Sequence, residues 1–191
     1  MLRIITGSAK GRKLISLEGD ATRPTSDRIK GAMFSSIQFD IENRRVLDLF
    51  AGTGQLGLEA MSRGADSVTF CDMSREAVDV VKENARSLGF FDKCRYSVAD
   101  YRNFIRKASG RDKYDLVFID PPYAMECCLD AVKRLSESGL LLEGAILVLE
   151  SGEEAMDDET IRSLGFEIMK STNYGKKTSV HIIIYRGNEN I

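Results

Sequence analysis

Two short segments of the sequence carry the residue types best suited to chemistry, and the first of them is rich in glycine. It begins at Asp48 and reads DLFAGTGQLG, so that Gly52, Gly54 and Gly57 fit the pattern G-x-G-x-x-G. The segment lies between a strand-like run and a helix-like run, where glycines let the backbone approach a ligand closely. Asp72 follows about 20 residues after Gly52, and its carboxylate can accept hydrogen bonds from the two hydroxyls of a ribose. These residues predict a site for an adenosine-containing cofactor.

The second segment is Asp120-Pro121-Pro122-Tyr123, which follows directly after the apolar run 114–119. A diproline removes two backbone donors and restricts the chain, so carbonyl oxygens can be held toward a cleft. The exocyclic amine of a nucleobase is a poor nucleophile, because its lone pair is delocalised into the ring. Acceptors on its two N–H bonds stabilise the positive charge that develops during attack. Asp120 and the Pro121 carbonyl suit that task, and the ring of Tyr123 can stack on a planar base.

The apolar runs predict the elements that position both segments. From residue 45 onward, strand-like and helix-like runs alternate, which is typical of βαβ units in a parallel sheet covered by helices. The last two strand-like runs are joined by a link too short for a crossover helix, so we expect them to pair antiparallel. The expected fold is α/β and Rossmann-like, with a mostly parallel seven-stranded sheet and a reversed terminal strand. The predicted strands are 46–50, 67–71, 94–98, 114–120, 145–150, 166–171 and 179–185, and the predicted helices are 55–63, 74–88, 101–107 and 125–137.

The first 44 residues differ from this rhythm. Strand-like runs at 2–6 and 13–17 flank a turn at 7–11 and predict a β-hairpin. A helix is expected to follow from Thr25 or Ser26. We therefore predict a basic N-terminal hairpin and helix over 1–44, a core over 45–186 and a tail over 187–191.

Charge is distributed unevenly along the chain. Twenty-seven Lys and Arg residues stand against 29 Asp and Glu residues, for a formal net charge of −2, which is not typical of a nucleic-acid binder. Residues 1–30 nevertheless carry seven basic and three acidic residues, whereas residues 143–160 carry seven acidic residues and no basic one. A basic N-terminal face suits contact with a polyanion, although charge alone leaves open a hairpin that is merely solvated.

Composition excludes several other classes of protein. Hydrophobic residues make up 43% of the chain and charged residues 29%, which favours a globular protein over a disordered or fibrous one. No apolar run approaches the roughly 20 residues that cross a bilayer, and the N-terminus lacks the apolar stretch of a signal peptide. We therefore expect a cytoplasmic protein without a membrane partner. The four cysteines lack C-x-x-C spacing and His181 is distant from them, so we expect reduced thiols and no metal site.

Taken together, the two segments resemble class I S-adenosylmethionine-dependent methyltransferases that modify amino nitrogens of bases. The resemblance to the RsmD family is closer, because five further motifs match, which are RIITG at 3–7, GRKL at 11–14, RPTSDR at 23–28, LGLEA at 56–60 and SRGA at 62–65. It extends over nearly the whole chain, to about Tyr185. Members of that family methylate the N2 amine of a guanine in bacterial 16S ribosomal RNA.

The resemblance implies S-adenosylmethionine as the methyl donor, S-adenosylhomocysteine as its product and no metal. The methionine part is expected on Asp48 and on the loop backbone of Ala51, Gly52, Thr53 and Gly54. Asp72 is expected to hold the ribose, although the family often has Glu at this position. Contacts to the adenine are expected from Met73, Asp100 and Tyr101.

The resemblance also implies how RNA is bound and modified. Asp120, the Pro121 carbonyl and Tyr123 are the expected catalytic groups. Thr25 is expected to close over the cofactor, and Arg23 and Arg28 over the cofactor or the entering RNA. Phosphate contacts are expected from Arg3, Lys10, Arg12 and Lys13. The expected partner is 16S rRNA or a partly assembled small ribosomal subunit, and the expected state is a monomer.

Three other functions stay open at this point. An NAD(P)-linked oxidoreductase shares the glycine pattern and Asp72, but it leaves Asp120-Pro121-Pro122-Tyr123 without a role. A non-catalytic RNA-binding assembly factor could retain the same fold. Within the methyltransferases, the same motif also serves methylation of adenine N6 in DNA, which motif spacing does not exclude.

Overall fold

The computed structural model of the chain describes residues 2–17, 27–122, 125, 127–152, 156–175 and 178–187. Its helices are α1 (Asp27–Ser36), α2 (Gln55–Ser62), α3 (Arg75–Leu88), α4 (Tyr101–Ala108), α5 (Cys128–Ser138) and α6 (Asp158–Ser163). Its strands are β1 (Arg45–Asp48), β2 (Ser67–Asp72), β3 (Cys94–Val98), β4 (Tyr114–Ile119), β5 (Leu141–Ser151), β6 (Phe166–Asn173) and β7 (Ser179–Tyr185). One 3₁₀ turn covers Phe91–Lys93.

The seven strands form one sheet in the order β3-β2-β1-β4-β5-β7-β6. The pairs β1–β2, β2–β3 and β4–β5 are parallel, whereas β7 runs antiparallel to both β5 and β6. The predicted α/β architecture with one reversed strand is therefore confirmed. The reversed strand does not lie at the edge: it is inserted between β5 and β6, and β6 forms that edge of the sheet.

The chain divides into two compact units, Met1–Asp100 and Tyr101–Ile191. The first unit is built around the buried strands β1 and β2. Helix α2 is buried along its whole length, and α3 packs an apolar face that includes Val78, Val81 and Ala85. Helix α3 begins where Ser74 accepts a hydrogen bond from the Ala77 amide, as expected of an N-cap serine.

Gly57 is the point of closest approach between α2 and the strands beneath it. A Cβ at this position would lie 2.4 Å from Cε1 of Phe70 and 2.9 Å from Cγ1 of Val68. Phe70 is wholly buried, so its ring has little freedom to move away. Glycine at position 57 thus sets how closely the helix lies on the sheet.

The N-terminal segment 2–17 forms the predicted hairpin, but without regular strands. One antiparallel bridge joins Arg3 to Lys13, and the Ile4 amide donates to the Arg12 carbonyl at 2.9 Å. The neighbouring amides pair with a side chain instead: those of Ile5 and Thr6 donate to the two oxygens of the Glu59 carboxylate, at 2.7 and 2.9 Å. Because a buried amide needs only one good acceptor, these residues require no strand partner.

The Glu59 carboxylate is the centre of a buried ionic cluster under this segment. Its Oε2 lies 3.6 Å from Nζ of Lys30, and neither side chain is accessible to solvent. Lys30 also donates to the Arg3 carbonyl at 2.7 Å, and Arg63 donates to Glu59 Oε1 at 2.9 Å. Burial lowers the pKa of Lys30, and the Glu59 charge opposes that shift. The cluster joins α1, α2 and the N-terminal segment.

The second unit contains β4 to β7 and the helices between them. Strand β5 extends over 11 residues, well beyond the predicted 145–150, and pairs with β4 across a register shift between Tyr114 and Leu116. Helix α6, which was not predicted, begins after Asp157, whose Oδ1 accepts from the Thr160 amide at 2.8 Å. Helix α5 begins at Cys128, three residues later than predicted.

Replacing Gly57 by alanine should destabilise the protein by about 1–3 kcal/mol, because the added methyl group overpacks against Phe70 and Val68. Gly31 in α1 provides a matched control, since nothing lies within 4 Å of a Cβ added there. Gly31→Ala should raise the free energy of unfolding by about 0.5–1 kcal/mol through helix propensity. Urea denaturation of both variants measures the difference, and equal effects would contradict close packing at Gly57.

Replacing Glu59 by glutamine should cost about 3–5 kcal/mol of unfolding free energy, because it leaves the buried Lys30 charge without its carboxylate. It also turns an N–H donor toward a backbone amide that needs an acceptor. Asp79→Asn is the control, since Asp79 pairs with Lys82 on the exposed surface of α3 and its loss should change the stability little. If urea denaturation shows similar small losses for both, the buried cluster does not stabilise the fold.

Candidate functional site

The glycine-rich loop joins the end of β1 to the start of α2 through a tight turn. Gly52 and Gly54 both have positive φ angles, 51° and 79°, which other residues adopt at a cost. The Gly54 amide donates to the Ala51 carbonyl at 2.6 Å and closes the turn. Because Gly54 precedes α2 directly, the helix has no side-chain cap at that position.

Asp48, at the end of β1, supplies the side-chain acceptor that Gly54 cannot offer to the first turn of α2. Its Oδ2 accepts a hydrogen bond from the Gly57 amide at 2.9 Å, so the carboxylate ties the strand to the first turn of the helix. The side chain is almost wholly buried. Burial raises the pKa of Asp48 to about 7, with the Gly57 amide acting against the shift and the charge of Asp72 adding to it. A cation that entered the loop would favour the ionised carboxylate.

Asp72 lies at the end of β2 and is held by backbone amides from both sides. Its Oδ2 accepts from the Gly52 amide at 2.9 Å and its Oδ1 from the Ser74 amide at 2.8 Å. A carboxylate has about four lone-pair sites, so both oxygens retain capacity for the hydroxyls of a ribose. Met73 follows with 69% of its surface exposed, which leaves its side chain available to a ligand.

The end of β3 lies beside the end of β2, and we call the region formed by the glycine loop, Asp72 and the end of β3 the corner. The Ala99 amide donates to the Asp72 carbonyl at 2.9 Å, and the Cys71 thiol lies 3.4 Å from the Ala99 carbonyl. Burial raises the pKa of Cys71 to about 12, so its thiol stays protonated. Asp100 therefore follows a residue that is hydrogen-bonded to Asp72, and its side chain is half-buried. The first unit thus brings together Gly52, Asp72, Met73 and Asp100.

Tyr101, expected to contact the adenine, is buried in the second unit at the start of α4. Its hydroxyl donates to Oδ2 of Asp130 at 2.6 Å, and Arg134 donates to the same oxygen at 2.7 Å. The Arg134 guanidinium is the main cause of a pKa of about 2 for Asp130. The Tyr101 hydroxyl is therefore engaged within its own unit, and a cofactor contact from this residue stays a prediction.

Two buried side chains at the glycine loop were not anticipated. Gln55, the first residue of α2, has a buried Oε1 without a hydrogen-bond partner among the described residues. Asn84 in α3 is wholly buried and donates from Nδ2 to the Thr53 carbonyl at 3.0 Å. Gln55 could have been predicted as a residue at the glycine loop, because it is a polar residue directly after Gly54, the last glycine of the turn. Asn84 could not, because only the folded chain brings α3 to the loop.

These features fit the methyl donor that the resemblance implies. Gln55 Oε1 offers a buried acceptor to an ammonium group, and Asp72 retains acceptor capacity for a ribose. Nothing lies within 4 Å of a Cβ added to Gly52, so the loop is open on that side. The residues of this corner are thus compatible with S-adenosylmethionine.

The predicted catalytic segment begins in the second unit, directly after β4. Residues 116–119 of that strand are wholly buried, Asp120 is half-buried, Pro121 is buried and Pro122 is exposed. The Met125 amide donates to the Pro122 carbonyl at 2.9 Å. Tyr123 lies outside the described residues, as do Arg23 and Thr25.

The described residues predicted to bind RNA are all exposed, and they are Arg3, Lys10, Arg12, Lys13 and Arg28. Two of them also make contacts within the first unit. Arg3 pairs with Asp27 at 3.0 Å, and Arg12 donates to the Ser87 carbonyl at 2.6 Å. Their positions are compatible with phosphate contacts.

An open cleft of about 650 Å³ lies elsewhere in the first unit. It is bounded by the turn at Thr6, the end of α2 and the connection from α3 to β3, with Arg63 and Lys93 along it. It shares no residue with the glycine loop or with Asp72, and is therefore separate from the predicted cofactor site.

The described part of the chain carries neither a metal cluster nor a membrane-spanning helix. No group of three or more His, Cys, Asp or Glu side chains is arranged to hold a metal ion there. The four cysteines are free thiols. None of the helices among these residues has the length and apolar character needed to span a bilayer.

Comparison with solved structures supports the fold. The structure of yhhF from Escherichia coli superposes with a TM-score of 0.86 at 28% identity, covering 97% of this chain and 98% of that one. A hypothetical protein from Thermus thermophilus superposes with a TM-score of 0.78 at 27% identity, over 95% of this chain and 98% of that one.

Comparison with known sequences identifies the family of this chain. Residues 2–184 match the family described as conserved hypothetical protein 95. Ribosomal RNA small subunit methyltransferase D of Haemophilus influenzae is 34% identical over 158 residues, covering 80% of each chain. The protein of that name from Escherichia coli K12 is 32% identical, over 80% of this chain and 76% of that one. The chain described above belongs to this family, the RsmD family of methyltransferases.

Proposed function

We propose that this chain transfers a methyl group from S-adenosylmethionine to the exocyclic N2 amine of a guanine in bacterial 16S ribosomal RNA. The proposal rests on two observations together: the chain belongs to the RsmD family, and it carries the Asp-Pro-Pro-Tyr motif. The match to this chain covers at least three-quarters of the length of two relatives named ribosomal RNA small subunit methyltransferase D. The Asp120-Pro121-Pro122-Tyr123 segment follows directly after the buried strand β4.

The first unit would hold the methyl donor. The ribose hydroxyls donate to Asp72, whose orientation is already fixed by the amides of Gly52 and Ser74. Gln55 Oε1 and the carboxylate of Asp48 would attract the ammonium group, and Met73 and Asp100 would contact the adenine. When bound, S-adenosylmethionine supplies an electrophilic methyl group on a sulfonium centre.

Asp120 and the Pro121 carbonyl would prepare the amine. Each accepts one N–H bond of guanine N2, which turns the nitrogen lone pair away from the ring and toward the methyl group. As the N–C bond forms, the bond between the methyl carbon and the donor sulfur breaks, and S-adenosylhomocysteine would be the leaving group. Positive charge passes from sulfur to N2, where the two acceptors stabilise it. Tyr123 stacks on the base after it leaves the RNA loop. N2 then releases its proton to water, while the carboxylate of Asp120 orients the amine.

The N-terminal segment would contact the RNA backbone through its exposed basic side chains, with Arg23, Thr25 and Arg28 closing over the cofactor or the RNA. The partner is 16S rRNA or a partly assembled small subunit in the cytoplasm, and the chain acts as a monomer. The family relatives and the presence of the Asp120-Pro121 pair favour this function over an oxidoreductase or an inactive assembly factor.

Replacing Asp120 by alanine should lower methylation at least about 10²-fold, because one of two acceptors for the developing charge is lost. The affinity of the Asp120→Ala variant for S-adenosylhomocysteine should stay within a few-fold of that of the native chain. Tritium transfer from labelled S-adenosylmethionine to 16S rRNA measures the first quantity, and calorimetry the second. Asp158→Asn, at the exposed start of α6, is the matched control.

Mass spectrometry of the nucleosides from the same reaction identifies the product. The proposal requires N2-methylguanosine, so a methyl group found on adenine N6 of the rRNA would contradict it. Equal loss of methylation and cofactor affinity in Asp120→Ala would mean that Asp120 binds the cofactor instead.

The affinity for S-adenosylhomocysteine should fall roughly tenfold per pH unit below pH 7, because Asp48 has a pKa of about 7 and must be ionised to attract the ligand's ammonium group. Titration of that ammonium cannot produce this trend, since it becomes more fully charged as the pH falls. Asp48→Asn should bind more weakly at pH 8 and show no such slope. Calorimetry between pH 5.5 and 8 tests both, and a native affinity independent of pH would refute the role of Asp48.

A further inference from the structure

Asn84, in the second half of α3, is wholly buried and uses its side-chain amide on two other segments. Its Oδ1 accepts from the Ile15 amide at 2.7 Å, and its Nδ2 donates to the Ile15 carbonyl at 3.1 Å. The same Nδ2 donates to the Thr53 carbonyl at 3.0 Å. Both N–H bonds of the amide are therefore used, and Asn84 serves Ile15 as a neighbouring strand would.

The contact with Thr53 acts on the glycine loop. The Thr53 carbonyl and the Gly54 amide belong to one rigid peptide plane. That amide donates to the Ala51 carbonyl at 2.6 Å and closes the turn. By holding the carbonyl, Asn84 fixes the plane and with it the left-handed turn at Gly54.

The contact with Ile15 acts on the return arm of the N-terminal segment. Arg12 on the same arm donates to the Ser87 carbonyl at the end of α3, at 2.6 Å. If the arm left α3, the Asn84 side chain would lose two of its three partners inside the protein. Without Ile15 to hold it, the Asn84 side chain would gain rotamer freedom, and its hydrogen bond to the Thr53 carbonyl would weaken.

We propose that Asn84 is a positioning residue that couples docking of residues 12–17 to ligand binding in the glycine loop. The inference rests on the proposed function, because it takes the loop as the site of the adenosyl cofactor. Coupling is reciprocal: a ligand that orders the loop holds the arm on α3, and a docked arm raises the affinity of the loop. Since Arg12 and Lys13 are the proposed phosphate contacts, this link would let bound RNA favour bound cofactor.

Amide hydrogen exchange, followed by NMR on the full chain with and without S-adenosylhomocysteine, tests the coupling in the native protein. The ligand should slow exchange of the Ile15 amide at least about fivefold, the lower end of typical coupling between sites. Asn84→Asp keeps an acceptor for that amide but offers no donor to the Thr53 carbonyl. In this variant the ligand should bind about tenfold more weakly and no longer slow exchange at Ile15.

Asn103→Asp is the control, since the Asn103 side chain is exposed on α4 with Arg106 as its donor, and it should behave as the native chain does. Ligand binding that slows exchange at residues 51–54 but not at Ile15 would overturn the inference while leaving the proposed function intact. Retained protection of Ile15 in Asn84→Asp would equally overturn it. Absence of ligand binding to the native chain would overturn both.

Discussion

The hydrogen bond from the Gly57 amide to the Asp48 carboxylate is the constraint on which the rest of the first unit depends. It fixes the first turn of α2 against the end of β1, and it forms only because Gly57 brings no Cβ between the helix and Phe70. Once the two ends are held, the intervening residues must turn tightly, and the positive φ angles of Gly52 and Gly54 follow. The open loop that results is a consequence of packing, and the proposed cofactor site occupies it.

The two carboxylates of this corner have different surroundings and therefore different properties. Asp48 is buried, and the loss of solvent raises its pKa to about 7, so its charge depends on what enters the loop. Asp72 is half-exposed and accepts two backbone amides, so its orientation is fixed before a ligand arrives. One residue is thus suited to respond to a cation, and the other to hold a neutral pair of hydroxyls without reorganising.

The N-terminal segment is fastened by side chains that replace a strand. Glu59 accepts from the amides of Ile5 and Thr6, and Asn84 pairs with both backbone groups of Ile15. Both anchors are buried residues of α2 and α3, the two helices that follow the proposed cofactor loops. A segment held in this way has few backbone pairings of its own, so its position depends on the helices beneath it. This arrangement links the proposed RNA-binding side to the cofactor side.

Local pattern was enough to predict the α/β class, all seven strands, the reversed β7 and the glycine turn, because apolar periodicity, glycine spacing and short links act over a few residues. Strand order was decided by the fold alone: nothing local in the runs at 166–173 and 179–185 reveals that β7 inserts between β5 and β6. The roles of Glu59, Lys30 and Asn84 could not be predicted from local sequence either, since the backbone groups that they bind lie 27 to 69 positions away. A buried polar side chain acquires its role only when distant backbone groups are brought to it, and no periodicity in the chain encodes that meeting.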